Sequence, residues 1–208
     1  MRSDVLVVAQ PGRLPRIECL GGLAARHTEP DTVHLVSAAA TPLGGDTIAI
    51  RLIVEPGARL RLRSAAATMV MPGTATMQSR ACWHIEAAGD LDVDPEPTIV
   101  AANARHLSTL TVCLADTSRL RIRERVQIGR TGEREGFWSG ALHADVAGTP
   151  LLRHRVELGP GSVADDALGT PLACVSELRY PEPAKDAAGV TLEMAAGGSI
   201  STWQGARL

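Results

Sequence analysis

The sequence predicts a single all-β domain over residues 1–208, built as two packed sheets or a flattened β-solenoid, with a small helical element near its C-terminal part. Three observations carry this expectation. Apolar residues alternate with period two along most of the chain, which is the pattern of half-buried strands. The alternating stretches recur, broken by turns at residues 57, 89, 118 and 148, which are 32, 29 and 30 residues apart. Helix signals are short and few.

Ile48, Ile50, Leu52 and Val54 share one face, with Ala49, Arg51 and Ile53 between them. Glu55-Pro56-Gly57-Ala58 supplies a turn, after which Leu60 and Leu62 resume the apolar face opposite Arg59, Arg61 and Arg63. Locally this reads as strand, tight turn, strand, as in a hairpin. Ser64 to Val70 is Ala-rich and short, and its pattern decides neither helix nor strand. The same unit recurs from Trp83 through Gly89 to Val93, from Leu110 through Ser118 to Ile122 and on to Ile128, and from Leu142 through Gly148 to Leu152. A later unit joins Leu192-Met194 to Ile200-Thr202 through Gly197-Gly198. Ser162 to Leu168 and Ala173 to Leu178 are the helix candidates, Ser162 serving as a cap for the first. Pro181 to Ala188 reads as a polar loop.

The repeat predicts a register. With Leu60, Leu91 and Leu120 aligned, Arg59, Arg61 and Arg63 match Asp90, Asp92 and Asp94, which match Arg119, Arg121 and Arg123. Stacked in register, a row of acids lies between two rows of arginine. The alternative is three unrelated strands with solvated charges.

Composition excludes several function classes. At 45% hydrophobic and 21% charged residues the chain can bury a core and is not disordered. Its apolar runs are far shorter than the roughly 20 residues of a membrane-spanning helix. A formal charge of -2 exerts no general pull on nucleic acid or an acidic membrane. Aromatics make up only 2%, too few for stacking platforms that hold single-stranded nucleic acid or sugars.

Enzyme signatures fail in turn. There is no phosphate-binding loop with lysine, no H-E-x-x-H and no G-x-S-x-G. Gly159 to Ala164 matches G-x-G-x-x-A, but Asp165 and Asp166 follow it and no βαβ unit surrounds it, so it reads as a turn and helix cap. The six histidines are scattered without ligand spacing, which disfavours a tight metal cage. The four cysteines form no C-x-x-C pair, and the start of the chain lacks a signal-peptide segment. Reduced thiols, a cytoplasmic setting and cysteines acting as small buried hydrophobes are therefore expected.

Three segments carry more specific residues than packing alone demands. In Thr41-Pro42-Leu43-Gly44-Gly45-Asp46 the Asp can close a turn on itself. Asp94-Pro95-Glu96-Pro97-Thr98-Ile99 is a stiff extended link with two acids. Ile128 to Trp138 sets charges and two aromatics between glycines, which suits either protein contact or a solvated turn anchored by Phe137.

In this order and among these strands, Gly44-Gly45-Asp46, Ser64-Ala65-Ala66-Ala67-Thr68, Pro95-Glu96-Pro97-Thr98-Ile99, Gly129-Arg130 through Glu135 and Phe137, and Thr149-Pro150-Leu151-Leu152 resemble the UreD (UreH) family of urease accessory proteins. The resemblance covers roughly residues 5 to 180, with Gly132 and Arg134 departing from the family's loop pattern. It implies a flattened β-helix-like, two-layer β structure with a few short helices. It also implies a non-enzymatic scaffold that assembles with UreF-like and UreG-like partners on apo-urease and helps deliver nickel through an internal polar passage. No tightly bound cofactor is implied, only transient nickel. A cation in transit needs contacts weak enough to release it. Candidate contacts are Asp46, Ser64, Thr68, Glu96 and Glu135, and candidate partner-binding residues are Arg130, Phe137 and Trp138. The rival readings are a β-solenoid enzyme acting on polysaccharide and a cupin-like metal enzyme. The first lacks aromatic platforms, and the second lacks clustered histidines.

Overall fold

A computed structural model describes residues 1–165, 169–184 and 188–208. Its seventeen strands follow the alternating stretches: β1 (Arg2–Ala9), β2 (Arg16–Leu20), β3 (Leu23–Glu29), β4 (Thr32–Ser37), β5 (Thr47–Val54), β6 (Arg59–Ser64), β7 (Thr68–Val70), β8 (Gln78–Ala87), β9 (Asp90–Val93), β10 (Thr98–Val100), β11 (Arg105–Leu114), β12 (Arg119–Ile128), β13 (Phe137–Val146), β14 (Thr149–Leu158), β15 (Ala173–Tyr180), β16 (Val190–Glu193) and β17 (Ser199–Gly205). One sheet has the order β14-β13-β11-β8-β5-β1-β2, and the second β16-β17-β15-β12-β9-β6-β4-β3, with β10 and β7 branching from β12. The middle of each sheet is parallel and its margins are antiparallel.

The tight turns are corners, not hairpins. After the turn at Gly57, where φ is 73° and glycine is the least strained residue, the chain passes from β5 in the first sheet to β6 in the second. The steps from β8 to β9 and from β11 to β12 are alike, so each strand pairs in parallel with its counterpart one coil later. This is the stacked-coil arrangement of a flattened β-helix with two layers. Only the last two units close as antiparallel hairpins, β13–β14 and β16–β17.

The expected register is observed. Leu60, Leu91 and Leu120 are directly opposite, and so are Arg61, Asp92 and Arg121. One ion pair joins directly opposite residues, Arg121 and Asp92, and the others run diagonally within that ladder. Asp92 accepts from Arg63 at 2.8 Å and Arg121 at 3.2 Å, and Asp94 accepts from Arg121 at 3.0 Å and Arg125 at 3.1 Å. Arg59 and Arg119 instead pair with Asp31 and Glu182.

Inward residues of the two sheets meet in a main core. Leu52, Leu60, Leu62 and Ile85 are fully buried within it, each burial stabilising the fold by about 1.5–3 kcal/mol. A second cluster contains Val70, Val100, Val126, Ile128, Trp138 and Leu158.

The helix expectations are corrected. Ala173 to Leu178 lies in β15, because its alternate residues pair with β12 on one side and β17 on the other. No helix occurs among the described residues, so none is long and apolar enough to cross a membrane. Ser162 to Asp165 forms turns, and the rest of that candidate, residues 166–168, lies outside the described residues, as do 185–187 of the polar loop. Cys174 is buried as expected, whereas Cys19, Cys82 and Cys113 are exposed because they fall on outward-facing strand positions.

Core and ladder should differ in energetic weight. Leu60→Ala is expected to cost about 2–5 kcal/mol. Asp92→Ala is expected to cost under about 1 kcal/mol, a loss that shrinks further in about 1 M salt. Urea unfolding of both variants at low and high salt is the measurement.

Candidate functional site

Residue size falls along the coils toward one side of the core. The inward row Leu52, Ile85, Val112, Ala144 is well filled. Four residues earlier on the same strands the row is Ile48, Ala81, Ser108, Gly140. The Trp138 ring lies over Gly140 so closely that a Cβ there would sit 2.2 Å from it, so this position has no room for a side chain. Between the sheets the small row leaves a cavity of about 230 Å³, with the main core on one side and the second cluster on the other.

The second sheet is interrupted beside this cavity. β6 and β9 stop at Ser64 and Val93, and β7 and β10 begin at Thr68 and Thr98, so residues 65–67 and 94–97 pass outside the strands. Two hydrogen bonds tie these links together: Glu96 N donates to Ser64 Oγ at 2.9 Å, and Thr68 N donates to Pro97 O at 2.9 Å. Arg125 anchors the second link by donating to Asp94 Oδ1 and to Pro95 O, the latter at 2.7 Å. The result is a window bordered by Ser64, Ala66, Thr68, Pro95, Glu96 and Thr98.

Behind the window lies Glu124, on the inward face of β12. Burial raises its carboxyl to about 7, against the opposing effect of the Ser108 hydroxyl, which donates to it at 3.1 Å. His106, also on the wall, shares a 2.9 Å hydrogen bond with Ser79, and burial lowers its imidazole to about 4. The chamber is thus walled mostly by apolar groups, with a few convergent oxygens and a neutral imidazole. Among the described residues no three of His, Cys, Asp and Glu converge as a metal cage would require.

The structure brings together three of the residues expected from sequence, Ser64, Thr68 and Glu96, at the window. Asp46 is elsewhere and buried. Its carboxylate accepts from Thr41 Oγ1 and Leu43 N, both at 2.9 Å, and from the Met1 amino group at 2.6 Å. Burial acts to raise its pKa, but these bonds win and hold it below the usual carboxylate range. Asp46 therefore closes the turn on itself. Glu135 is exposed and outside the chamber, and Arg130 is engaged by Glu133. Glu133 organises that loop: it accepts from Arg130 N at 3.1 Å and Ala102 N at 3.0 Å, and the Arg130 side chain foremost holds its carboxyl down at about 2. Phe137 and Trp138, expected as partner contacts, are 7% and 2% exposed, so they anchor the loop from inside and leave little surface for a partner. Both lie on β13, which pairs with β11 and β14, and Arg105 caps the Phe137 ring at 4.0 Å.

Glu124 and His106 escaped the sequence reading, although a signal exists. Leu120, Ile122, Glu124, Val126 and Ile128 form one inward row, and a lone acid interrupts it.

Glu124 also makes stability depend on pH. Its folded-state pKa lies above its ordinary value of 4.5, so the unfolded chain binds fewer protons between about 4.5 and 7. Stability should therefore fall as pH rises through that window, by on the order of 3 kcal/mol, and level off above it. Denaturant unfolding across pH should show this component in the unaltered chain and lose it in Glu124→Gln.

A model of the UreD urease accessory protein family matches residues 19–201. "Urease accessory protein UreD 1" of Saccharopolyspora erythraea is 43% identical over 148 residues, covering 70% of this chain and 58% of that protein. "Urease accessory protein UreD" of Frankia alni is 41% identical over 185 residues, covering 77% and 62%, and that of Frankia casuarinae is 38% identical, covering 77% and 56%. The chain thus spans about three fifths of the length of these relatives. With the family model matching most of its residues, the chain belongs to the UreD family of urease accessory proteins.

Proposed function

We propose that this chain acts without catalysis of its own, as a cytoplasmic scaffold that assembles with UreF-like and UreG-like partners on apo-urease and passes nickel toward the urease active site. Family membership supports the accessory role. The observation that carries the transfer role is the windowed chamber: a gap in the second sheet opens on a cavity whose inner wall holds a buried carboxylate. Oxygen donors at the window and a lone acid within offer a borderline divalent ion contacts that hold it loosely. A cage of thiolates and imidazoles would retain it. Asp46 serves this role indirectly, by fixing the turn that carries Thr41 and Pro42 of the chamber wall, and Glu133 fixes its own loop. No bound cofactor is part of the proposal, since nickel is the cargo.

A plug at the window tests the passage. Ala66 is exposed and lines the cavity, so Ala66→Trp should obstruct it while leaving the strands intact. Glu96→Ala should weaken entry. In urease co-produced with each variant, nickel content is expected to fall several-fold with the plug and less with Glu96→Ala. Glu135→Ala, altered outside the chamber, is expected to match the unaltered chain. Full loading with the plugged variant defeats the passage.

A further inference from the structure

Where β12 meets β15, on the outer face of the second sheet, arginine stands beside arginine. β12 turns Arg119, Arg121, Arg123 and Arg125 outward, and in the antiparallel register Arg121 is directly opposite Arg179 and Arg123 opposite Glu177. Like charges directly opposite are destabilising, so strand pairing alone does not ask for this arrangement. Glu177 sits among the three arginines. Its carboxylate accepts from Arg179 Nε at 2.5 Å and from Arg121 Nη2 at 3.1 Å, and Arg123 Nε stands 3.6 Å away.

Three guanidiniums thus share one carboxylate, and they differ in how far they are satisfied. Arg121 is held further by Asp92 and Asp94, at 3.2 and 3.0 Å. Arg179 engages Glu177 through Nε, and among the described residues its terminal nitrogens make no hydrogen bond. The Arg123 side chain makes no hydrogen bond at all among the described residues, and its Nε is buried without a partner. Both side chains border a pocket of about 570 Å³, together with Arg119, Arg121, Glu177 and Glu182. Glu177 is the more deeply set, its side chain 11% exposed against 34% for Arg123 and 40% for Arg179, so the pocket presents guanidinium to solvent. Four guanidiniums and two carboxylates line it. Adding Arg63, Arg125, Asp92 and Asp94, which pair with one another and with Arg121, makes six against four. Either way, two positive charges are left over among the described residues.

Guanidiniums with free donors, in a pocket of unbalanced positive charge, suit an oxyanion, because the planar fork meets two oxygens at once. A carboxylate brings one negative charge and leaves the other arginine unmatched. A phosphate group brings about 1.5–2 negative charges at neutral pH, and its tetrahedral oxygens can meet guanidiniums from two strands together. We propose that Arg123 and Arg179 form a binding site for a phosphate group, either the free ion or a monoester of a small molecule. Glu177 holds the two arginines in place from below, and Arg121, already engaged by Asp92 and Asp94, adds charge without a direct bond. The proposal does not rest on the passage reading.

The test is titration calorimetry and thermal unfolding of the purified full chain. Inorganic phosphate, phenyl phosphate and acetate are the probes, at one ionic strength set with sodium chloride. Phosphate is expected to give a binding heat and to raise the unfolding midpoint above that in chloride alone. Affinity should fall about tenfold or more in Arg123→Gln and in Arg179→Gln. Arg123→Lys keeps the charge but loses the fork, and its affinity should lie between. Without phosphate, Arg123→Gln is expected to unfold close to the unaltered chain, since its side chain makes no hydrogen bond among the described residues; it keeps the test open should Arg179→Gln fail to fold. Arg51→Gln, on the outer face of the first sheet, should bind phosphate as the unaltered chain does. Tighter binding of phenyl phosphate than of phosphate assigns the site to a monoester, and equal or weaker binding assigns it to the free ion. The proposal is overturned if phosphate gives neither heat nor a raised midpoint, if acetate binds as tightly, or if Arg123→Gln binds phosphate undiminished.

Discussion

In-register parallel stacking of the coils is the constraint on which the rest depends. Each strand of a coil meets the same position of the next coil, so residues one coil apart lie side by side across the sheet. Leucines therefore line up with leucines at 60, 91 and 120, and an acid at 92 falls between arginines at 61 and 121. A slip of one residue would turn every leucine outward and every arginine inward. The charge ladder adds little energy because its members are partly solvated, but it opposes any register that sets arginine beside arginine.

The same repetition makes the chamber. Small residues recurring at one level of the first sheet and two chain excursions at the same level of the second leave the molecule with a hollow waist, lined by a few polar groups, between two apolar clusters. A buried acid at that waist is unfavourable for folding at neutral pH, because desolvation opposes its charged form. The fold carries this cost within an otherwise aliphatic interior, which marks the waist as the place where packing gives way to another requirement.

Much of this was legible in the sequence. Alternation marks the strands, and the recurring Arg and Asp rows offer the register between coils, against the alternative of unrelated strands with solvated charges. The turns misled, because Glu55-Pro56-Gly57-Ala58 has the chemistry of a tight reversal whether the next strand pairs with the last or crosses to the other layer. That choice is made by partners about 30 residues away, which local pattern does not contain. Phe137 and Trp138 looked exposed because glycines and charges flank them, yet pairing with β11 and β14 carries them inside. Ser64, Thr68 and Glu96 were found through the resemblance, although nothing in their spacing shows that two links 30 residues apart bend away from the sheet together. Glu124 lies outside the glycine-rich loops, and its signal in the sequence is that of an acid inside an apolar row.

The antiparallel margins have a consequence for self-association. At one side of the stack β2 and β3 run against their neighbours, and at the other β14 and β15 do the same. A stack ending in bare parallel coils would present the template for a further coil, and a second molecule could supply it, extending the pair into a fibre. Reversing the outermost strands breaks the parallel continuation, and charged side chains such as Arg153 and Arg155 on β14 border the remaining edge. The reversed, charged margins thus disfavour end-to-end stacking of one molecule on the next in the parallel sense of its own coils.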